Sequence, residues 1–418
     1  MRKPGRRKTR VVLGVTGSVA AYKAVELARA LIKRGCDVRA VITDSASKFV
    51  TPFLLETVTG HKVTTSFWNE TETGAIGHIE LADWAQVLVI APASADMLAK
   101  LRYGFAETPL LAVALATKAP VVVAPAMNVN MLSHPATQEN LRELVARGIQ
   151  VVEPESGALA CGWVGKGRLA RTQEICWAVQ KAVSSQDLAG KRLLISAGPT
   201  REPIDPVRFL SNRSSGKMGI ALAREAHRRG AIVTLVHGPL GARPQVPAGV
   251  ACVAVTTAKQ MFDAVLARAE GRACDVAIMA AAVADYRPSS VAPEKLKKAD
   301  AARSLELVPN QDILKELGTR RACAGAPFLV GFAVETGDVA ALLAEARRKL
   351  AAKNADLLVG NMAKDSFDRD TNRVWIVARD GREEHVGTAS KRAIARRILD
   401  AVVSSIGSSL CLHTPVQH

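Results

Sequence analysis

Short apolar runs alternate with amphipathic stretches along most of the chain. Val11 to Val15 is the first run and ends in Thr16-Gly17-Ser18. Ala20 to Arg34 then repeats apolar residues at helical spacing until Gly35 stops it, and Val38 to Thr43 is the next run. A strand, a helix and a strand in that order predict a parallel sheet wound on both faces. The same return recurs over Leu193 to Ile195, Ile220 to Arg229 and Ile232 to Val236. Val87 to Ile90, Val121 to Ala124 and Val276 to Met279 read as further buried strands, and Val339 to Lys353 as a helix. Ser184 to Gly190 is polar and breaks the periodicity. The pattern therefore predicts a head over 1–10, one α/β domain over 11–184, a linker over 185–190, a second α/β domain over 191–405 and a tail over 406–418.

Composition changes that picture in three places. The net charge is +17, but six of the cations lie between Arg2 and Arg10 with no acid among them, so the head reads as a solvated tail. No stripe of Arg and Lys interleaved with aromatics exists, so nucleic acid is not an expected partner. Seven cysteines carry neither CxxC nor zinc spacing, and no 18-residue apolar run is present. These features predict reduced thiols, no membrane span and a cytoplasmic location.

Polar loops follow the strand ends, where ligands collect in open α/β sheets. The first turn, GVTGS, is not GxGxxG, so a dinucleotide fingerprint is absent and an NAD-type oxidoreductase is disfavoured. APASAD (91–96) and PAMNVNM (125–131) are two such loops, and His78 lies before them in GHIELADWA, as a structural or a catalytic histidine. Cys161 stands among glycines in ACGWVGKGRLA (160–170), which suits a proton donor or nucleophile better than an inert core thiol. In the second half, SAGPTREPIDPVRFLSNRSSGKMG (196–219) joins a strand to a helix and reads equally as an anion-binding loop or a plain one. Asp285 lies just past a strand end in AAAVADYRP (280–288), and APEKLKK (292–298) is a basic loop. Lys349 and Lys353 are four apart and share a helix face, placed either in solvent or around a triphosphate. No P-loop is present.

TGSVAAYK, GHIELADWA, PAMNVNM and ACGxxGxGRL, in that order, resemble the flavin-dependent cysteine decarboxylases. The resemblance implies a flavodoxin-like doubly wound sheet that binds FMN. Gly17, Ser18, Thr43 and Ser94 would hold the flavin, and Met131 would shape the pocket. His78 would sit where flavin and substrate meet, Asn128 would grip the substrate, and Cys161 would donate a proton from a flap. The implied chemistry oxidises a cysteine side chain so that CO2 can leave, then returns the hydride, with no net redox. Trp163-Val164 and Glu107-Thr108-Pro109 depart from the family's usual residues.

The second half resembles phosphopantothenate–cysteine ligases through GPTREPIDPVRFLSNRSSGKMG, AAAVADYRP, APEKLKK, GFAVET and KxxxKNADLLVGN. The order, decarboxylase before ligase, resembles the bacterial bifunctional family of coenzyme A biosynthesis. This implies a C-terminal Rossmann-like domain that activates 4′-phosphopantothenate with CTP as an acyl-cytidylate, which the cysteine amine then attacks. Asn212 would hold the acyl-cytidylate, and Lys295 with Mg²⁺ would stabilise phosphate charge. Ala280, Ala281, Asp285, Asp312, Ile313, Leu314, Phe332, Lys349 and Lys353 would line the nucleotide site. Pro309-Asn310-Gln311-Asp312 departs from the family's Lys-Asn-Pro-Asp. The resemblance also implies a homo-oligomer, with trimeric contacts through the flavin domain and dimeric ones through the ligase domain. The competing reading is a non-catalytic regulatory relative built on the same flavin fold.

Overall fold

β1 (Thr9–Val15) pairs in parallel with β2 (Cys36–Ile42) on one side and β3 (Val87–Ala93) on the other. β4 (Val121–Pro125) and β5 (Gln150–Val151) extend the β3 side, giving the all-parallel order β2-β1-β3-β4-β5. That is the flavodoxin winding, whose order reverses between β1 and β3. Val11, Leu13 and Val15 pack with Val38, Val87 and Val122 on one face, while Val12 packs with Leu88, Ile90 and Val123 on the other. A sheet covered on both faces is written in near-continuous apolar residues, which is how these strands read in the sequence. The helix Lys23–Lys33 covers one face with Ala24, Leu27, Ala28 and Leu31. It starts after a 3₁₀ turn, Val19–Tyr22, and not at Ala20, because Ser18 caps the tighter turn through the Ala20 amide. A hairpin of β6 (Glu155–Ala158) and β7 (Val164–Arg168) follows β5.

This computed structural model describes residues 8–70, 77–160, 162–270, 273–297, 304–324, 327–362 and 369–411. The chain divides into two compact units, Met1–Ser185 and Gln186–His418.

The second unit carries β8 (Arg192–Ala197), a small hairpin of β9 (Arg201–Pro203) and β10 (Phe209–Ser211), β11 (Ile232–His237) and β12 (Ala251–Ala254). β13 (Val276–Met279) follows, then the pair β14 (Tyr286–Pro288) and β15 (Leu307–Pro309), β16 (Phe328–Glu335), β17 (Leu357–Met362), β18 (Thr371–Ala378) and β19 (Glu383–Ser390). The large sheet runs β12-β11-β8-β13-β16-β17-β18-β19, parallel through β17 and antiparallel at its last two strands. In chain order its parallel part is the Rossmann winding, with the switch between β8 and β13.

Residues 186–190 pack on this unit. Leu188 is buried in its core, its amide donates to the Arg229 carbonyl at 3.0 Å, and buried Arg229 pairs with Asp187 at 2.6 Å and Asp400 at 2.7 Å. The helix Lys391–Cys411 runs into the stretch read from sequence as a tail. Ile394, Ile398, Leu399 and Val402 bury one helical face, and Ile406 continues it.

Candidate active sites

The first site forms at the carboxyl ends of β1, β2, β3 and β4. Thr16, buried at the end of β1, donates Oγ1 to the Pro92 carbonyl at 2.8 Å and accepts from the Ser94 amide at 2.9 Å. This pair locks the loops on either side of the switch point. Ser18 reaches across to the β4 loop, its Oγ donating to the Ala126 carbonyl at 3.4 Å. Gly17 permits a close pass, because a Cβ there would lie 2.5 Å from the Ser45 Cβ. Thr43 Oγ1 accepts from the Ala46 amide at 3.3 Å, and Ser94 Oγ accepts from the Met97 amide at 3.2 Å, starting the helix Ala95–Tyr103. Each cap uses an oxygen lone pair. Among the described residues neither hydroxyl hydrogen has an acceptor, so Thr43 and Ser94 keep donors for an anion. These donors, on half-buried loops at the end of a parallel sheet, fit the phosphate of a flavin mononucleotide.

Asn128 follows β4 and caps the next helix, its Oδ1 accepting from the Asn130 amide at 2.8 Å. Met131, half-exposed, follows on the short helix Val129–Ser133. The β6–β7 hairpin lies on this loop. A Cβ on Gly165 would be 2.9 Å from the Val129 side chain, and one on Gly167 would be 2.3 Å from the Met127 carbonyl. The hairpin turn closes with the Leu159 amide donating to the Trp163 carbonyl at 2.7 Å. Cys161, between Leu159 and Trp163 in the sequence, lies outside the described residues. Of the four free thiols among the described residues, Cys252 is exposed on the second unit and the other three are poor candidates. Cys36, Cys176 and Cys274 are buried, and burial pushes Cys176 and Cys274 up to about 11.

Among the described residues no hydrogen bond or ring contact joins His78 to this group. It opens the helix Gly77–Trp84 half-buried, with its ring edge-on to Phe67 at 5.3 Å between centroids. The departing residues Glu107-Thr108-Pro109 have a local explanation. Thr108 Oγ1 accepts from the Leu111 amide at 3.4 Å, Pro109 fills the first helical position, and Glu107 pairs with Lys100 at 2.5 Å. Trp163 and Val164 are both exposed on the hairpin, and nothing in the structure explains that pair.

The second site lies at the ends of β8 and β13. Ser196 Oγ accepts from the Ala281 amide at 3.1 Å, Thr200 Oγ1 from the Ala284 amide at 3.0 Å, and the Gly198 carbonyl from the Ala282 amide at 2.9 Å. The two loops are thus zipped together. Asn212 Nδ2 donates to the carbonyls of Val283 at 3.0 Å and Ala282 at 3.4 Å. Those acceptors fix the orientation of the amide, and Oδ1 has no donor among the described residues.

Beside it a cavity of about 140 Å³ is lined by Ser214, Ser215, Gly216, Lys217, Ala280, Ala281, Phe332 and Asn361, among others. The helix Lys217–Arg228 begins there, with Gly216 at φ 69° as its cap and no side chain on its first amides. Gly219 lets this helix abut β8, since a Cβ would sit 2.5 Å from the Ala197 Cβ. The sequence reading missed Asn361. It is 3% exposed, lines the cavity, and among the described residues its Nδ2 has no partner. An unpaired buried donor facing a cavity is the mark of a ligand contact, and its place at the end of a parallel strand was the available signal.

The remaining predicted residues fall in three settings. Asp285 is exposed, and its carbonyl accepts from the Asn310 amide at 2.8 Å. Asn310 Nδ2 donates to the Ala284 carbonyl at 2.9 Å, so the departing Pro309-Asn310 segment ties back to the Asp285 loop. Lys353 pairs with Asp312 at 2.9 Å, and Lys349 with Glu335 at 3.3 Å and Glu345 at 3.2 Å. Ile313 and Leu314 are core residues packed with Ala277 and Ala333, so only their backbone can meet a ligand. Lys295 is exposed on its loop. Among the described residues no three His, Cys, Asp or Glu side chains gather as a metal cage.

Family comparison covers the whole organisation. The Flavoprotein model matches residues 2–184, and the DNA/pantothenate metabolism flavoprotein C-terminal domain model matches 188–406. The coenzyme A biosynthesis bifunctional protein CoaBC of Bacillus subtilis is 42% identical over 94% of this chain and 96% of its own. Those of Haemophilus influenzae (41%, covering 96% and 98%) and Mycobacterium tuberculosis (43%, covering 94% and 96%) are similar to the same extent. Among solved structures, the C-terminal domain of a CoaBC protein is 40% identical, covering 54% of this chain and all of that one, with a TM-score of 0.45. The FMN-dependent cysteine decarboxylase SpaF is 35% identical, covering 42% of this chain and 98% of that one, with a TM-score of 0.38. With two domain models end to end and relatives matched over nearly their full length, the chain belongs to the family of coenzyme A biosynthesis bifunctional proteins.

Proposed function

We propose that the second unit joins cysteine to 4′-phosphopantothenate at the expense of CTP, and that the first unit decarboxylates the product to 4′-phosphopantetheine. The observation that carries this reading is the arrangement itself. Two doubly wound sheets each present family-matched polar loops at the switch point of the strand order.

In the ligase unit, a carboxylate oxygen of 4′-phosphopantothenate attacks the α-phosphorus of CTP and pyrophosphate leaves. Lys295 supplies positive charge to the phosphates, and Lys349 and Lys353 exchange their carboxylate partners for phosphate oxygens. Asn361 Nδ2 gives its unpaired hydrogen bond to the nucleotide. The cysteine amine then attacks the acyl carbon and CMP leaves. Asn212, with both amide hydrogens engaged, turns Oδ1 toward the acyl-cytidylate, where it accepts from the attacking amine. No step is assigned to Mg²⁺.

In the decarboxylase unit, Gly17, Ser18, Thr43 and Ser94 would hold the FMN phosphate. FMN supplies two-electron chemistry that gives the departing CO2 an electron sink. Asn128 orients the substrate, and Met131 and His78 border its pocket. The Cys161 thiol returns the proton once CO2 has left, while the hairpin keeps water out. Exposed Phe53 and Trp68, at 76% and 81%, support an oligomer through this unit.

The test is to purify the protein, add FMN and record the visible spectrum, then assay pyrophosphate release with CTP and 4′-phosphopantothenate. Flavin uptake with nucleotide-dependent release supports both halves. A protein that takes up no flavin, or releases no pyrophosphate with any nucleotide, refutes the corresponding half.

A further inference from the structure

The turn of the β9–β10 hairpin holds a buried carboxylate with an unusual set of partners. Asp205 is 3% exposed. Its Oδ1 accepts from the amides of Val207 at 2.8 Å and Arg208 at 2.7 Å, and its Oδ2 from Arg208 Nε at 2.9 Å and Nη2 at 2.6 Å. Oδ2 also accepts from the Leu296 amide at 3.1 Å, a bond that spans 91 residues. Two further bonds join the same segments. The Ala292 amide donates to the Ile204 carbonyl at 3.0 Å, and Arg208 Nη2 donates to the Leu296 carbonyl at 2.5 Å. Lys295 lies between these tethers.

Five donors on one carboxylate exceed what closing a turn needs. An Asx turn is complete with the Val207 and Arg208 amides alone. The charge on Asp205 is therefore spent on Arg208 and on the Leu296 amide, both of which hold the basic loop. The outgoing strand β10 leads directly to Asn212, whose amide is tied to the β13 loop. One carboxylate thus fixes the base of the segment bearing Asn212 and the backbone next to Lys295.

We infer that Asp205 is a positioning residue for ligation, holding the Lys295 loop in register with the Asn212 strand through the Leu296 amide and the Arg208 guanidinium. This rests on the assignment of Lys295 to the ligase reaction. Lys295 itself is exposed, and among the described residues no hydrogen bond or ion pair holds its ammonium, so its placement falls to the backbone of its loop. A misplacement of about 1 Å at a catalytic group costs on the order of a hundredfold in rate.

The experiment uses the full-length holoprotein and the variants Asp205→Asn, Lys295→Ala and the double variant. Asp205→Asn keeps the side chain's shape but places a donor where Leu296 and Arg208 donate. Pyrophosphate release from CTP and 4′-phosphopantothenate is expected to fall about a hundredfold in kcat with a much smaller change in KM. Decarboxylation of added 4′-phosphopantothenoylcysteine is expected to stay unchanged. Hydrogen exchange is expected to quicken over 292–297 while the helix Lys217–Arg228 keeps its protection. In the double variant, Asp205→Asn should add nothing to the loss from Lys295→Ala. Full additivity, or loss of protection across the whole second unit, overturns the positioning role. Unchanged release in Asp205→Asn with an impaired Lys295→Ala overturns it too, while leaving the ligase reading intact. Unchanged release in Lys295→Ala overturns the assignment on which it rests.

Discussion

The amide of Met127 donates to the carbonyl of Gly167 at 3.0 Å, and that bond joins the hairpin of Cys161 to the loop of Asn128. The approach depends on Gly167 having no side chain. Its φ is 155°, and a Cβ would stand 2.3 Å from the Met127 carbonyl. Gly167→Ala is therefore expected to lift the hairpin and reduce decarboxylation at least about tenfold, with ligation unchanged. Assays of the two half-reactions on one preparation check this, and equal rates for variant and parent would show that the hairpin's seat is irrelevant to turnover.

Asn361 makes the opposite kind of prediction. Its Nδ2 is buried without a partner, so removing it should cost the unliganded protein little and the nucleotide complex much. Asn361→Ala is expected to keep its melting temperature within a few degrees, yet lose most of the upward shift that CTP gives the parent. Differential scanning fluorimetry with and without CTP reads both numbers. A CTP shift as large as the parent's would remove Asn361 from the site.

Lys353 pairs with Asp312 at 2.9 Å while about a quarter exposed, and a pair so solvated contributes roughly 0–1 kcal/mol to stability. Its value lies in what replaces Asp312. Lys353→Ala is expected to raise the KM for CTP about tenfold, with near-parental stability. Initial rates across CTP concentrations test this. A large loss of stability with an unchanged KM would make the pair structural.

Acid sensitivity should be set partly by the second unit. Asp275 accepts from the Arg192 amide at 2.7 Å and from Arg192 Nε at 3.1 Å and Nη2 at 3.0 Å, which holds its carboxyl below the usual range despite partial burial. For Asp205, burial would raise it, but Arg208 and the three amides pull it well below that range. A carboxyl depressed by folding adds stability that is complete above its unfolded value near 4 and is lost as pH falls through its folded value. Melting temperature should hold from about pH 7 to 5 and drop below about pH 4. Asp275→Asn should start lower at pH 6 and close the gap to the parent as pH falls through the parent's lowered folded value. Parallel curves at all pH values would contradict the linkage.

The strands of both sheets were legible because a doubly covered parallel sheet requires apolar runs, as in Val11 to Val15 and Val276 to Met279. The loops at their ends stood out as candidate sites for the same topological reason. Asn361 stayed hidden because an Asn after an apolar run carries no signal until the neighbouring strands close a cavity around it. Nothing in the sequence singled out Asp205, since its bond to Leu296 spans 91 positions. Lys349 and Lys353 were placed on one helix face, but only the fold shows that each already has a carboxylate partner. The helix through Ile406 was read as tail because the glycine and serines that follow mask its apolar face.

The account stands or falls on coupling two reactions in one chain. Protein reconstituted with FMN should be given 4′-phosphopantothenate, cysteine and CTP, with pyrophosphate and CO2 counted together. One CO2 for each pyrophosphate, with 4′-phosphopantetheine as the product, is the predicted result. Pyrophosphate without CO2, or neither, would contradict it.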